Sequence, residues 1–307
     1  AQGPVAVKWL KEALGFYPFD LVRGLEPDPS GRAFVTEEIH IGERTLSSIV
    51  SPVPGPDGRL AGVAIALRDV TAQKELDERK EEFVQVVSHE LRTPLTSITG
   101  ALDLVLGGLA GELAEKQARY LKMARDSTEK LNGMVDDLLD LARLSKGKLE
   151  MVPEVTPLDE LVRVTAERYG PAATERGQEI VVEAPAGPVR LVADPARIGQ
   201  VLSNLLTNAV KFAPDHSPIR VRVFRSDAVP GVVGLSVLNE GEGLPEDDLE
   251  RIFEKFEQAR TDKNRRVRGT GLGLAICRGI VAQHGGAIWA ESDPEQGVRF
   301  VAVLPEE

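Results

Sequence analysis

Residues 86–98 read VVSHELRTPLTSI, and the spacing of their apolar side chains predicts an α-helix that exposes one histidine. At about 100° per residue, Val87, Leu91 and Leu95 fall within one narrow sector, and His89 points almost directly away from it. A solvent-facing imidazole is largely neutral and nucleophilic at neutral pH. Taken alone, His89 is more simply interpreted as an idle surface residue, so the rest of the chain has to decide its role.

The helix around His89 is predicted to be long. Residues 71–90 contain no glycine or proline and carry a short seven-residue repeat, which is typical either of a two-stranded coiled coil or of a solvated linker helix. Pro94 removes one backbone hydrogen bond and is expected to bend the helix just past the histidine.

A second helix is predicted after a glycine-rich break. GGLAGE at 107–112 ends the first helix near residue 106, and a second apolar stripe continues to residue 144. Two amphipathic helices joined by a short loop form a hairpin, whose apolar seam one chain cannot bury. Two hairpins complete a four-helix bundle, so the sequence predicts a homodimer.

Strand patterns flank this hairpin on both sides. Residues 34–50 and 59–68 alternate like strands around a turn-rich PVPGPDG, which predicts a small antiparallel sheet. Beyond the hairpin, short apolar strands alternate with helical patterns, which predicts a layered α/β domain. We therefore expect an α+β multidomain chain with boundaries at residues 1–70, 71–150 and 151–307.

Composition excludes some classes of function. The 307 residues carry a net charge of −11, which argues against a general nucleic-acid binder. With one cysteine, Cys277, no internal disulfide can form, and the cytoplasm is the expected compartment. No run approaches the roughly 18 apolar residues of a membrane span. Since the chain begins at Ala1 and not at a methionine, we expect a fragment, with membrane attachment only through a missing upstream segment.

The last domain contains two asparagines on one predicted helix face. Asn204 and Asn208 lie four residues apart, and Lys211 follows on an adjacent position. Asparagine is a poor helix former, so two in mid-helix suggest a function, although a hydrogen-bonding role is the simpler alternative. An amide oxygen suits Mg²⁺, which takes few protein ligands and completes its shell with nucleotide phosphates. Lys211 is suited to neutralising phosphate charge.

Glycines follow in two further patterns, each of which is also compatible with a plain turn. Gly241 and Gly243 come just after an apolar strand, where glycine lets the backbone approach a flat ligand. RGTGLGLAI at 268–276 precedes a helix whose free N–H groups can bind an anion. Between the two patterns, a basic segment that Phe253 and Phe256 would anchor is interpreted either as a solvated loop or as a lid closing on nucleotide.

Together these motifs resemble the sensor histidine kinases of two-component signalling. SHELRTPL resembles the family's phosphoacceptor box, NLLTNAVKF its asparagine box, and EGEG, FEKFEQ and GTGLGL its glycine and phenylalanine boxes, in the family's order. The resemblance covers about residues 71–304. It implies a dimeric four-helix bundle, a two-layer α/β sandwich that binds ATP, a response regulator as partner, and a partial PAS sensor domain in residues 1–70.

The resemblance also implies roles for particular residues. His89 would accept the phosphoryl group. Glu90 would hold the proton of the other imidazole nitrogen, which orients the tautomer, and act as base. Thr93 would position a water for phosphatase chemistry. Asn208 would hold Mg²⁺ with support from Asn204. The other residues expected at the nucleotide are Lys211, Phe212, Asn239, Gly241, Gly243, Arg266, Arg268, Gly269, Thr270, Gly271, Leu272 and Gly273.

One position departs from the family pattern. The family usually has an aspartate that accepts a hydrogen bond from the adenine amino group where this chain has Asn239. The resemblance implies the same role for Asn239, whose neutral amide oxygen accepts a weaker hydrogen bond. A non-catalytic scaffold that docks a regulator is therefore one alternative. A second is an ATPase that uses the same fold for conformational work.

Overall fold

The structure is a computed structural model that describes residues 35–54, 60–144, 149–226, 229–259, 270–294 and 296–306. The chain divides into two units, residues 1–83 and 84–307. Over the described ranges, no helix combines the length and apolarity needed to cross a bilayer.

The first unit contains a three-stranded antiparallel sheet in the order β1-β2-β3. Its strands are β1 (Val35–Ile41), β2 (Arg44–Pro54) and β3 (Leu60–Asp69). The apolar pattern of residues 34–50 predicted one strand-like run, but the chain reverses at Gly42, whose φ is +62°. This left-handed conformation is one that glycine adopts without steric cost, so the run becomes a hairpin.

Thr71 fixes the junction between this sheet and the first helix. Its backbone N–H and its hydroxyl both donate to Asp69 Oδ1, at 3.0 and 2.6 Å. Its hydroxyl oxygen also accepts from the N–H of Thr45 on β2, at 2.9 Å. The two hydrogen bonds from Thr71 lower the pKa of Asp69, and they tie the end of the third strand to the start of the helix.

The predicted hairpin is present. Its helices are α1 (Thr71–Leu106) and α2 (Glu115–Leu144), and Pro94 lies inside α1. Two ion pairs join them, Arg92 to Asp136 at 2.6 Å and Arg125 to Asp103 at 2.7 Å. The partners approach in opposite chain order, so the helices are antiparallel.

The remaining chain forms the predicted α/β layers. Five strands pair in the order β5-β7-β8-β10-β9, with β5 and β7 parallel and the other pairs antiparallel. They are β5 (Glu179–Glu183), β7 (Pro218–Arg225), β8 (Val232–Asn239), β9 (Ala287–Asp293) and β10 (Gly297–Pro305). A separate antiparallel pair consists of β4 (Glu154–Pro157) and β6 (Arg190–Ala193).

Helices pack on the five-stranded sheet and bury a continuous apolar core between the two layers. They are α3 (Leu158–Thr174), α4 (Pro195–Phe212), the short α5 (Glu246–Arg251) and α6 (Gly273–Gln283). The core includes Leu202, Leu205 and Leu206 of α4 against Leu235 of β8 and Ile276 of α6, all completely or almost completely buried. The two-layer α/β sandwich is therefore confirmed.

Three of the elements that the structure describes were not predicted. They are β4, β9 and α5, and each is short or has a weak apolar pattern. In β9, for example, Glu291 and Asp293 are polar and only Ala290 is buried, so hydrogen bonding to β10 and not its own pattern makes it a strand.

Candidate functional site

Helix α4 carries the asparagine motif and begins at a strong N-cap. The side chain of Asp194 accepts from the backbone N–H groups of Ala196 and Arg197 at 3.0 and 3.1 Å, and Pro195 occupies the first turn. An aspartate cap followed by proline is a favourable helix start, because the cap satisfies free N–H groups and proline has none to satisfy. The start of the helix is thereby fixed.

The other end of α4 is capped by side chains. Arg176 donates to the carbonyl oxygens of Val210 and Lys211, and Gln178 donates to that of Ala213 at 3.1 Å. Carbonyls in the last turn of a helix have no partner inside the helix, and a positive charge there is favourable. These contacts fix the turn that presents Lys211.

The polar residues of α4 face away from its buried side. Asn204 Nδ2 donates to the carbonyl of Gly273 at 3.2 Å, which joins α4 to the start of α6. Cys277 is completely buried beside this amide, and burial raises the pKa of its thiol to about 12. Asn208 is half-buried, and its amide has no hydrogen-bond partner among the residues that the structure describes.

Lys211 and Phe212 lie together at the end of α4. The Lys211 ammonium stands over the Phe212 ring, 4.7 Å from its centre, in cation–π geometry. Burial lowers the pKa of Lys211, and the positive charge of Lys130 on α2 lowers it further.

Asn239 is the last residue of β8 and is only 6% exposed. It pairs with Ile219 on one side and Val298 on the other, so its backbone is held inside the sheet. A Cβ at neighbouring Gly297 would collide with the Asn239 carbonyl oxygen, and Gly297 has a φ of +99°. Glycine at 297 therefore lets the β10 backbone approach Asn239.

The turn before α6 is shaped by Gly271. Its φ is +69°, and its carbonyl accepts from the N–H of Phe256 at 2.9 Å. Phe253 is buried edge-to-face against Phe300, with ring centres 6.3 Å apart, as expected for an anchor. The Phe256 side chain is 66% exposed, so burial of this ring does not anchor the segment as expected, and the backbone hydrogen bond to Gly271 holds this residue instead.

These elements surround a cavity of about 640 Å³. Its lining contains most of the predicted nucleotide residues that the structure describes: Asn204, Asn208, Lys211, Phe212, Asn239, Thr270, Gly271 and Gly273. Gly241, Gly243 and Leu272 do not line it. A Cβ at Gly243 would lie 2.7 Å from Ser292 Oγ and one at Gly241 3.3 Å from Pro214, so these glycines permit close packing of the protein.

Arg266, Arg268 and Gly269 lie outside the described residues, as does the rest of the predicted basic lid from residue 260 to 269.

One wall of the cavity was missed by sequence reasoning and belongs to the hairpin. Lys130, Gly133, Met134 and Asp137 of α2 line it, at the i, i+3, i+4, i+7 spacing of one helix face. Burial raises the pKa of Asp137 from 3.8 to about 6, with further increases from Asp140 and then Asp136. The spacing alone could have suggested that these residues share a helix face, but it does not identify the α/β domain as the surface that packs opposite.

Contacts at the end of α2 hold the hairpin against the α/β layers. Arg197 Nη1 donates to both carboxylate oxygens of Asp140, at 3.1 and 3.0 Å, and Gln200 Nε2 donates to the same carboxylate at 2.7 Å. Leu144 lies on α6 at Gly279, where a Cβ would stand 2.8 Å from its Cδ1 atom. A charged contact and an apolar contact therefore fix this interface together.

His89 is exposed on α1 and does not line the 640 Å³ cavity. It lies in a separate groove of about 340 Å³ with Arg92, Thr93, Thr96 and Ser97. The Thr93 hydroxyl donates to the His89 carbonyl at 3.3 Å. Glu90 is also exposed, and no hydrogen bond joins its side chain to His89.

Comparison with known proteins identifies the families of both parts. Residues 79–147 match the family described as "His Kinase A (phospho-acceptor) domain". Residues 193–307 match the family described as "Histidine kinase-, DNA gyrase B-, and HSP90-like ATPase". The two matches contain His89 and the α4 asparagines, respectively.

Curated relatives agree with these matches. The chain is 32% identical over 250 residues to the sensor histidine kinase WalK of Bacillus subtilis, covering 81% of this chain and 40% of WalK. It is 36% identical over 243 residues to the circadian input-output histidine kinase CikA of Synechococcus elongatus, covering 74% of this chain and 30% of CikA. The chain therefore spans less than half the length of either protein.

Solved structures show the same likeness. Full-length ShkA in complex with AMPPNP matches with a TM-score of 0.61 and 32% identity, over 73% of this chain and 46% of that one. Histidine kinase ThkA in complex with the response regulator protein TrrA matches with a TM-score of 0.50 and 27% identity, covering 91% of this chain and 80% of that one. The chain belongs to the sensor histidine kinases of two-component systems.

Proposed function

We propose that this chain transfers the γ-phosphoryl group of ATP to His89 and then to an aspartate of a response regulator. The observation that carries the proposal is the cavity that brings Asn204, Asn208, Lys211 and Asn239 together in the same unit as an exposed His89. The AMPPNP complex of ShkA supports an adenine nucleotide in that cavity. The TrrA complex of ThkA supports a response regulator as the acceptor.

In the first step an imidazole nitrogen of His89 attacks the γ-phosphorus in line. A phosphorus–nitrogen bond forms, the bond from the γ-phosphorus to the bridging oxygen breaks, and ADP leaves. Lys211 offsets negative charge on the phosphate oxygens. Glu90 is assigned the proton of the other ring nitrogen, which requires movement of its side chain towards the imidazole.

The residues at the cavity fit a magnesium ion that would take most of its ligands from the nucleotide phosphates and water. The described residues contain no group of three or more histidine, cysteine, aspartate or glutamate side chains suited to a metal. Asn208 offers a half-buried amide with no hydrogen-bond partner in the described ranges, and Mg²⁺ commonly takes one or two protein ligands with phosphates and water. When bound, the ion would neutralise charge developing on the phosphate oxygens.

Phosphoryl transfer must bring two separated groups together. His89 lies on α1 outside the cavity, whereas the cavity is walled by α2. Either the α/β domain moves along the hairpin, or the histidine comes from a second copy of the chain.

A homodimer is part of the proposal. Both hairpin helices leave large apolar side chains exposed in the single chain: Leu91, Ile98 and Leu104 on α1, and Tyr120, Met123 and Leu131 on α2. A second hairpin of the same sequence offers a matching apolar surface. Light scattering is expected to give twice the monomer mass.

Labelling with γ-³²P-ATP tests the kinase assignment. We expect an acid-labile label on the wild type and on His40→Ala, and none on His89→Ala. ATP affinity of His89→Ala should stay within about twofold, since His89 lies outside the cavity. Release of phosphate without labelled protein would favour the ATPase, and the absence of both label and release would favour the scaffold.

A second activity is favoured by the groove that Thr93 shares with His89. We infer that Thr93 positions a water that hydrolyses the regulator's acyl phosphate. Dephosphorylation of a regulator should persist in His89→Ala and be lost in Thr93→Ala, with Ser97→Ala as the control one turn further along α1. Loss in the control as well would assign Thr93 a purely structural role.

A further inference from the structure

The hairpin forms one wall of the proposed nucleotide cavity and brings a second lysine to it. Lys130 of α2 and Lys211 of α4 both line it, although the two lysines are 81 residues apart in the sequence. Their charges interact closely enough that Lys130 lowers the pKa of Lys211. Two lysines from different helices therefore line one cavity.

Within the described part of the chain, neither Lys130 nor Lys211 forms an ion pair, although the chain is acidic overall. Three carboxylates among the described residues also line the cavity. Glu257 pairs with Arg251 at 3.0 Å, Glu242 follows β8, and Asp137 lies on the same face of α2 as Lys130, about 10 Å along the axis. Bringing two like charges together costs free energy unless an anion lies between or beside them.

The interface that places Lys130 is specific. Asp140 binds Arg197 and Gln200, and Leu144 packs at Gly279, so α2 is held against α4 and α6 at several points. Along this interface Lys130 lies near Lys211, whereas Asp140 binds Arg197, so the two helices run antiparallel. These contacts hold the face of α2 that carries Lys130 against the cavity.

We propose that Lys130 binds the phosphates of the nucleotide together with Lys211, so that the ligand is held by the hairpin and the ATPase layers at once. This inference rests on the proposed nucleotide binding at the cavity. Because the phosphates then contact both parts, a nucleoside di- or triphosphate strengthens the attachment of the α/β layers to α2. Adenosine, which lacks phosphates, has no such effect.

Calorimetric titration of the full chain tests this with Mg²⁺-ATP, Mg²⁺-ADP and adenosine. Lys130→Met is expected to weaken ATP and ADP binding about fivefold, to reduce the salt dependence of binding, and to leave adenosine unchanged. Lys130→Arg should restore most of the affinity. Lys122→Met is the matched control, because Lys122 is an exposed lysine on α2 that does not line the cavity.

Three results separate the possibilities. Unchanged ATP affinity in Lys130→Met overturns the inference and leaves the proposed function intact. An equal loss of affinity for ATP and adenosine in Lys130→Met also overturns the inference, because Lys130 would then only shape the cavity wall and not bind phosphate. A wild-type chain that binds none of the ligands contradicts the proposed function itself.

Discussion

Asp140 on α2 accepts two hydrogen bonds from Arg197 Nη1 at the start of α4, across an interface where both side chains are largely buried. The same helix carries a second aspartate–arginine pair, Asp136 to Arg92, in which both side chains are about half exposed. Helix α2 therefore offers a buried and an exposed ion pair four residues apart.

The buried pair should contribute more to stability. Asp140→Ala removes three hydrogen bonds and leaves Arg197 without its anion, which is expected to lower the free energy of unfolding by about 2–3 kcal/mol. Asp136→Ala should cost less than about 1 kcal/mol, because solvent screens the exposed pair. Thermal unfolding of both variants measures the difference. Equal losses would mean that the α2 interface is not held by this contact.

Asp137 predicts a pH dependence. Its pKa is raised from 3.8 to about 6 in the folded chain, so between about pH 4 and 6 the folded state binds a proton that the unfolded state lacks. Stability therefore falls as pH rises through this window. Asp137→Asn should be more stable than the wild type at pH 7.5 by about 1 kcal/mol after discounting for solvent screening, and equal to it at pH 4.

The control for this experiment is Asp126→Asn, an exposed aspartate on the same helix, which should show no such difference. A stabilisation by Asp137→Asn that stays the same from pH 4 to 7.5 would contradict the assignment, as would no stabilisation at all.

Gly271 is expected to be essential for the shape of the cavity. Gly271→Ala places a Cβ 2.7 Å from the carbonyl carbon of Phe256 in a left-handed conformation, which should cost about 1–3 kcal/mol of unfolding free energy. Because Gly271 lines the cavity, ATP affinity should fall as well. Gly100→Ala is the control: its Cβ meets no atom within 4 Å on α1, and alanine favours the helix.

Asn239 is predicted to limit nucleotide affinity. A carboxylate accepts a stronger hydrogen bond than an amide, so Asn239→Asp should bind ATP about fivefold more tightly above pH 7. The gain should be absent with purine riboside triphosphate, which lacks the 6-amino donor. Fluorescence titration with both nucleotides compares them, and an equal gain for the two would place Asn239 away from the amino group.

Local patterns predicted much of this fold and part of the site. The bounds of α1 and α2, the α4 helix and the strands β5, β6, β7, β8 and β10 follow from apolar spacing and from glycine and proline breaks. The polar face of α4 was predicted because residues three and four apart share a helix face whatever surrounds them. Short elements such as α5 and β9 were missed, since their structure depends on neighbours.

The sequence alone determined that the chain has an exposed histidine on a long helix and an asparagine-bearing helix before a glycine turn, because backbone geometry fixes which nearby residues share a face. Only the tertiary structure decided that α2 forms a wall of the cavity, that Lys130 and Asp137 face it, and that Gly241 and Gly243 pack against protein. Those facts depend on which distant surfaces meet, and that choice is made by long-range packing and ion pairing that no local repeat encodes.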